Sequence, residues 1–254
     1  MCYGPGASPP LPPVSGGAPA SGEHTTLTSA DGTAFLAFAD TAPGDGPTGI
    51  VILPDVRGLH RFYEELTLRF ADTGIHSVAI DYFGRTAGTE PRGDDFEFMP
   101  HVQQLIAENV AADARAAIAH LRNETAAQSI FTIGFCMGGR ASFNQAREEG
   151  LRGVIGFYGR VEPRDPADKE APVLLAGQYR CPVLGLFGGA DAMIPAAGIE
   201  NFGAALDDAG VDNELHTYPG APHSFFDRSF AEFRNECDDA WRRILGFIKR
   251  FESL

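Results

Sequence analysis

The sequence predicts an α/β fold: a mostly parallel central sheet with helices on both faces. Three observations point to it. Short apolar runs at 49–53, 75–80, 130–133, 153–157 and 182–187 alternate with stretches of helical periodicity. The runs lack the every-second-residue polarity of a sheet with one wet face, so both faces are covered. Chemically distinctive residues also follow the ends of the runs: Asp55, Arg85, Cys136, Tyr158, Asp191 and His223. In such sheets, sites form beyond the carboxyl ends of the strands.

Each element can be read in order. The alternating stretches 25–29 and 33–39 flank Ala30-Asp31-Gly32, a hairpin signal. The strand 49–53 ends at Pro54. Residues 60–73 then carry Phe62, Leu66 and Phe70 at helical spacing, closed by Gly74. The strand 75–80 leads into a loop rich in Gly, Asp and Pro over 86–100. A helix is expected over 101–122, with Leu105, Val110, Ala114, Ile118 and Leu121 inward. After 130–133 another helix starts at Met137. The strand 153–157 is followed by a Pro-rich loop over 160–172. The strand 182–187, a helix over 199–209 and a strand over 214–218 complete the alternation. Phe230, Phe233, Cys237, Trp241, Ile244 and Ile248 mark one face of a final amphipathic helix.

With 254 residues, 44% of them hydrophobic, the chain can bury a sizeable core. We expect an irregular Pro/Gly/Ala/Ser-rich arm over 1–24 and a single domain over 25–254. The arm lacks the basic and apolar regions of a secretory signal. No apolar stretch reaches about 18 residues, so no membrane span is expected. Cys2, Cys136, Cys181 and Cys237 are widely spaced and form no C-x-x-C pair. That pattern fits neither a disulfide framework nor a zinc site, and it suits a reducing cytoplasm. A net charge of −14 disfavours nucleic acid and anionic membrane as partners.

The chemistry centres on Gly134-Phe135-Cys136-Met137-Gly138 between a strand and a helix. This is a Gly-x-nucleophile-x-Gly turn with cysteine as nucleophile. Cys136 at a helix N-terminus is favoured as thiolate, and the Met137 N–H would face the oxygen of an attacked carbonyl. Asp191, in Phe-Gly-Gly-Ala-Asp, and His223, in Gly-Ala-Pro-His-Ser-Phe, follow in the order nucleophile, acid, histidine. Singly, each has a plainer reading: Cys136 as a buried small hydrophobe, Asp191 as a turn cap, His223 as an exposed loop histidine. Three in order at three strand ends favour catalysis.

Gly-Phe-Cys-Met-Gly-Gly, Gly-Gly-Ala-Asp, His-Ser-Phe and Asp-Tyr-Phe-Gly-Arg together resemble the dienelactone hydrolase (carboxymethylenebutenolidase) family, over about 25–251. The resemblance implies an α/β-hydrolase fold and a Cys136–His223–Asp191 triad acting through a thioester acyl-enzyme. It implies an oxyanion hole from the N–H groups of Met137 and Val56. It places the family's substrate-carboxylate arginine on Arg85 and its tyrosine on Tyr158. Ser224 and Arg228 fall in the substrate-binding turn. Asp55 stands where the family has a thiol-modulating glutamate. Asp227 occupies the turn where the family's second arginine would come, displacing it to Arg228. Asp55 could instead cap the next helix, and Arg85 could form a surface ion pair.

The expected activity is hydrolysis of a small, anionic lactone or ester. No metal and no organic cofactor is needed. Two alternatives remain open: a broader esterase or thioesterase with a pocket lined by Phe83, Phe96, Phe98 or Phe226, and a non-hydrolytic reactive thiol.

Overall fold

The computed structural model describes residues 8–13, 22–93 and 95–253. Eight strands form one sheet: β1 (Glu23–Thr28), β2 (Ala34–Asp40), β3 (Thr48–Leu53), β4 (His76–Ile80), β5 (Ser129–Phe135), β6 (Leu151–Phe157), β7 (Val183–Gly188) and β8 (Asn213–Tyr218). Their order is β1-β2-β4-β3-β5-β6-β7-β8. The hairpin β1–β2 lies antiparallel at one edge, and β3 through β8 run parallel. The helices are α1 (Arg61–Asp72), α2 (Gly84–Ala87), α3 (Met99–Val102), α4 (Ala107–Glu124), α5 (Met137–Gln145), α6 (Pro172–Leu175), α7 (Ala196–Asp208) and α8 (Arg234–Phe251). The predicted class, a mostly parallel sheet covered on both faces, is what forms.

The chain leaves β3 toward β4 on one side and leaves β5 toward β6 on the other. Right-handed crossovers then send α1 and α5 to opposite faces, and a crevice opens at the carboxyl ends of β3 and β5. Those two strands are buried at every residue, which is why their runs read as apolar throughout. On one face, Phe143 of α5 packs on Phe202 of α7 at 5.3 Å between ring centroids. On the other, Phe70 of α1 meets Trp241 of α8 at 5.0 Å. The Trp241 indole N–H donates to the Pro10 carbonyl at 3.1 Å, which ties residues 8–13 to α8.

Three boundaries differ from the sequence reading. The helix expected over 101–122 is two pieces, α3 and α4, because Ile106 adopts extended backbone (φ −112°, ψ 127°). The break turns Val102 and Leu105 into the wall of a cavity. The final helix starts at Arg234, so Phe230 and Phe233 pack from the loop before it. The first strand begins at Glu23, inside the stretch read as arm; Cys2 lies outside the described residues.

The reversal from β5 into α5 depends on backbone contacts that only glycine allows. A Cβ on Gly138 would collide with the Leu53 and Pro54 carbonyls, and one on Gly139 with the Phe157 carbonyl. By contrast, Gly246 in α8 faces open space. We expect Gly138→Ala to abolish soluble folded protein or lower Tm by at least about 10 °C. Gly246→Ala should raise Tm by roughly 2–3 °C, since it removes unfolded-state entropy at no steric cost. Thermal unfolding of the two variants checks both.

Candidate active site

Cys136 alone makes the turn between β5 and α5, at φ 55° and ψ −113°. A non-glycine residue there is strained. The turn is held because the Cys136 N–H donates to Phe157 O at 3.0 Å and the Cys136 carbonyl accepts from Arg140 N at 3.2 Å. Among the described residues, the other non-glycine positions with positive φ are Tyr158 (37°) and Ser224 (61°). All three strained residues therefore lie at the sequence-predicted site.

β5 and β6 pair with Phe135 opposite Phe157, so Cys136 and Tyr158 stand at neighbouring strand ends. Asp191 follows β7 and His223 follows β8, in the same rank. The turn carrying His223 folds back over this edge through its aromatic residues. Phe226 packs on Phe157 at 4.6 Å and on Phe135 at 5.9 Å, and Phe225 on Tyr158 at 5.8 Å. The His223 ring lies 4.9 Å from that of Tyr158.

Asp191 serves two partners. Its Oδ1 accepts from Met193 N at 2.9 Å, the turn-capping role open from sequence, and its Oδ2 is 2.6 Å from His223 Nδ1. An ionised carboxylate only accepts, so Nδ1 is the donor in this bond. Nε2 is buried and has no hydrogen-bond partner among the described residues. An oriented imidazole with an unused basic nitrogen is the arrangement of a general base.

Met137 is the first residue of α5, so its N–H has no acceptor within the helix. Val56 sits in the turn after β3, where Asp55 Oδ1 accepts from Arg57 N at 2.9 Å and Tyr63 Oη approaches Asp55 N at 3.0 Å. Asp55 is thus a buried turn residue rather than a helix cap; His60 caps α1. Close packing of Gly138 on Leu53 and Pro54 draws the two turns together, and Met137 and Val56 line one cavity of about 390 Å³. Leu105, Val110, Ala111 and Ala141 form its apolar wall, with Tyr82 and Asn144 beside them, and Arg140, Arg147, Arg164, Asp168 and Glu170 make a charged side. The Arg140 guanidinium is paired with Asp168 at 2.6 Å.

Arg85 lies elsewhere. Its Nε and Nη2 donate to Asp31 Oδ2 at 3.2 and 3.0 Å, and its Nη1 donates to Asp113 Oδ2 at 2.7 Å. Both carboxylates belong to the protein, and Arg85 does not line the cavity. The ion-pair alternative describes what this side chain does here. Arg228 is exposed, while its backbone N–H donates to Asp227 Oδ1. Phe83, Phe96, Phe98 and Phe226 do not line the cavity either: Phe83 packs on Phe96 at 5.7 Å, Phe96 and Phe98 border a separate small recess, and Phe226 fills the core. Aliphatic residues take the place expected for them.

Asp227 is the site residue that sequence reasoning noticed only as a departure. It is 1% exposed, and the Tyr158 hydroxyl donates to its Oδ2 at 2.7 Å. Burial first, and the charge of Asp55 second among the raising influences, push its carboxyl up to about 8. Burial likewise holds the Tyr158 and Tyr82 phenols well above their usual range, with Asp227 acting on the first, Asp55 and Asp81 on the second, and Cys136 on both. No group of three His, Cys, Asp or Glu that could hold a metal ion occurs among the described residues. No described helix is long and apolar enough to cross a membrane.

A strained Gly-x-Cys-x-Gly turn at the switch point of a mostly parallel sheet, with an aspartate and a histidine at later strand ends, has the arrangement of the α/β-hydrolase class. The profile of the Dienelactone hydrolase family matches residues 34–252, and the chain belongs to that family. It is accordingly a hydrolase of the kind that acts on ester or lactone bonds. It is 28% identical over 221 residues to a protein of Methylorubrum extorquens named "Putative carboxymethylenebutenolidase", covering 82% of this chain and 73% of that one. A Saccharolobus solfataricus protein of the same name is 28% identical over 264 residues, covering 90% and 98%. Among solved structures, a "Putative Dienelactone Hydrolase" from Klebsiella pneumoniae superposes with a TM-score of 0.78 at 25% identity, over 91% of this chain and 99% of that one. A puromycin-hydrolyzing peptidase of Mycobacterium tuberculosis shares the fold, with a TM-score of 0.74 at 16% identity, over 91% of this chain and 40% of that one.

The raised Asp227 carboxyl makes a signed stability prediction. Folded protein keeps this proton up to about pH 8, whereas the unfolded chain releases it near pH 4. Its stabilising contribution is therefore complete below about pH 4 and lost as pH rises through 8. Asp227→Asn should gain Tm on the native chain as pH increases from 5, reaching roughly +10 °C and levelling off above about 8. Thermal unfolding at pH 5, 7 and 9 measures it.

Proposed function

We propose that the chain is a cysteine-nucleophile hydrolase of small lactones and esters, with Cys136, His223 and Asp191 as its triad. The observation that carries this is the 2.6 Å Asp191–His223 bond, with His223 Nε2 buried and unpartnered, at the same rank of strand ends as the strained Cys136 turn. His223 Nε2 takes the Cys136 proton, and the thiolate attacks the acyl carbon. The N–H groups of Met137 and Val56 hold the oxyanion. As it collapses to a thioester, His223 returns the proton to the leaving alkoxide. His223 then deprotonates a water that cleaves the thioester, releasing the acid and restoring the thiol. Asp191 keeps the imidazole in the right tautomer and stabilises its charged form.

Substrate charge separates two readings. The family pattern supports an anionic lactone held by Arg85. The pairing of Arg85 with Asp31 and Asp113 favours a broader esterase for neutral acyl groups, bound in the aliphatic cavity. Tyr158, Ser224 and Asp55 then shape the turn and thiol environment rather than bind charge.

Hydrolysis of a dienelactone and of short and longer nitrophenyl esters tests the proposal. Cys136→Ala should lose at least about 10³-fold in kcat on every substrate, and Asp191→Asn about 10²–10⁴-fold. If Arg85→Ala changes none of the rates by more than about twofold, the neutral-ester reading stands; a selective loss on the lactone restores the anionic one. Turnover retained in Cys136→Ala overturns the proposal, and rapid alkylation of Cys136 without any turnover leaves a reactive thiol. Ala141→Phe, which fills the cavity one helical turn below Met137, should cut kcat/KM for the longer ester by about tenfold or more while sparing the short one.

A further inference from the structure

We propose that Asp227 is a positioning residue: its carboxyl anchors the Tyr158 hydroxyl and thereby fixes the tyrosine ring against the imidazole of His223. The inference rests on the reading of Cys136, His223 and Asp191 as the catalytic set and adds a fourth and fifth member behind them.

The imidazole needs two constraints. Asp191 fixes its Nδ1 edge, but a single hydrogen bond leaves the ring free to rotate about that axis. The Tyr158 ring lies 4.9 Å away at 57° and closes off one side. Tyr158 is in turn held at both ends. Its backbone N–H donates to Leu186 O at 2.8 Å, which keeps φ at 37° at the strand end beside Cys136. Its hydroxyl donates to Asp227 at 2.7 Å. Asp227 also accepts from Arg228 N–H and interacts with the Ser224 hydroxyl, so the same carboxyl clamps the turn that carries His223. One buried group thus fixes the imidazole's neighbour and the imidazole's own backbone.

The groups facing this carboxyl set the consequence of ionising it. Asp55 faces it from the turn after β3 and Cys237 from α8. Tyr158 stands between it and Cys136, with Tyr63 of α1 also acting on that tyrosine. His223, Ser224 and Arg228 belong to its own turn, and the Arg228 side chain is exposed. A neutral Asp227 adds no charge to this group. An ionised one faces Asp55 directly and opposes formation of a Cys136 thiolate across the tyrosine ring. The carboxyl is pushed up to about 8, mainly by burial, so this change falls within a measurable range.

The test compares native chain, Asp227→Asn, Asp227→Ala and Tyr158→Phe. Ester hydrolysis and Cys136 alkylation by iodoacetamide are followed from pH 6 to 9.5, after unfolding scans establish that each variant is folded. We expect Asp227→Ala to lower kcat at least about tenfold with KM within about twofold. Tyr158→Phe should fall part of the way. Asp227→Asn still accepts the tyrosine bond and should recover kcat at pH 7 to within about threefold of native. The native profile should fall above about pH 8, and the asparagine variant should not. A native alkaline limb that persists in Asp227→Asn, or an alanine variant with native kcat, overturns the inference. If no chain hydrolyses any ester, the triad reading fails. The alkylation profile still decides this one: a break near pH 8 present in native and absent from Asp227→Asn supports it, and identical profiles refute it.

Discussion

The contact on which this site depends is that of Gly138 on the carbonyls of Leu53 and Pro54. It lets α5 begin with a single residue between it and β5, and it brings the turn after β3 against the helix N-terminus. Cys136 is forced to φ 55° as the single residue of the reversal. Met137 is left with an N–H that no helical carbonyl can take. Val56 is drawn to the same cavity. The strain at Cys136 is borne by the sheet, because its N–H is bonded to Phe157 O on the neighbouring strand. Loss of that close approach would misplace the proposed nucleophile and oxyanion hole together.

Charge near the thiol is arranged by burial more than by pairing. Asp55, Asp191 and Asp227 are all buried at the carboxyl edge of the sheet, in a chain whose net charge is −14. Asp191 is hydrogen-bonded to the His223 imidazole and to the Met193 N–H. Asp227 is kept neutral by burial and by Asp55. Most cations nearby are already taken, Arg85 by two aspartates, Arg140 by Asp168 and Arg147 by Glu170, while the exposed Arg164 also lines the cavity. A neutral acyl group can lie along the aliphatic wall of the cavity, whereas a carboxylate would have to reach the exposed Arg164 or displace an existing ion pair. That difference makes substrate charge the sharpest chemical question the site poses.

Much of this was legible in the sequence, for physical reasons that can be named. Parallel strands buried on both faces leave continuous apolar runs, and β3 and β5 are such strands. The Gly-x-Cys-x-Gly turn is legible because only glycine tolerates the contacts of Gly134, Gly138 and Gly139. The break at Ile106 was not legible: residues 99–124 have helical periodicity on both sides of it, and the pull of Val102 and Leu105 toward the cavity is a tertiary effect. The partners of Arg85 were not legible because Asp31 and Asp113 lie 54 and 28 residues away. Asp227 could be seen as a departure from the family pattern, but its burial against Tyr158 depends on Phe225 and Phe226 folding the turn back over β6.

Catalysis by the proposed triad requires that Cys136 carry the acyl group during turnover. Rapid quenching of the native chain with a nitrophenyl ester, followed by intact-mass and peptide mass spectrometry, measures this directly. One acyl adduct is expected on the peptide containing Cys136, cleaved by hydroxylamine, forming and decaying at rates consistent with turnover. An adduct on Ser224 or another hydroxyl, or steady turnover with no adduct on Cys136 under conditions where deacylation is rate-limiting, would contradict it.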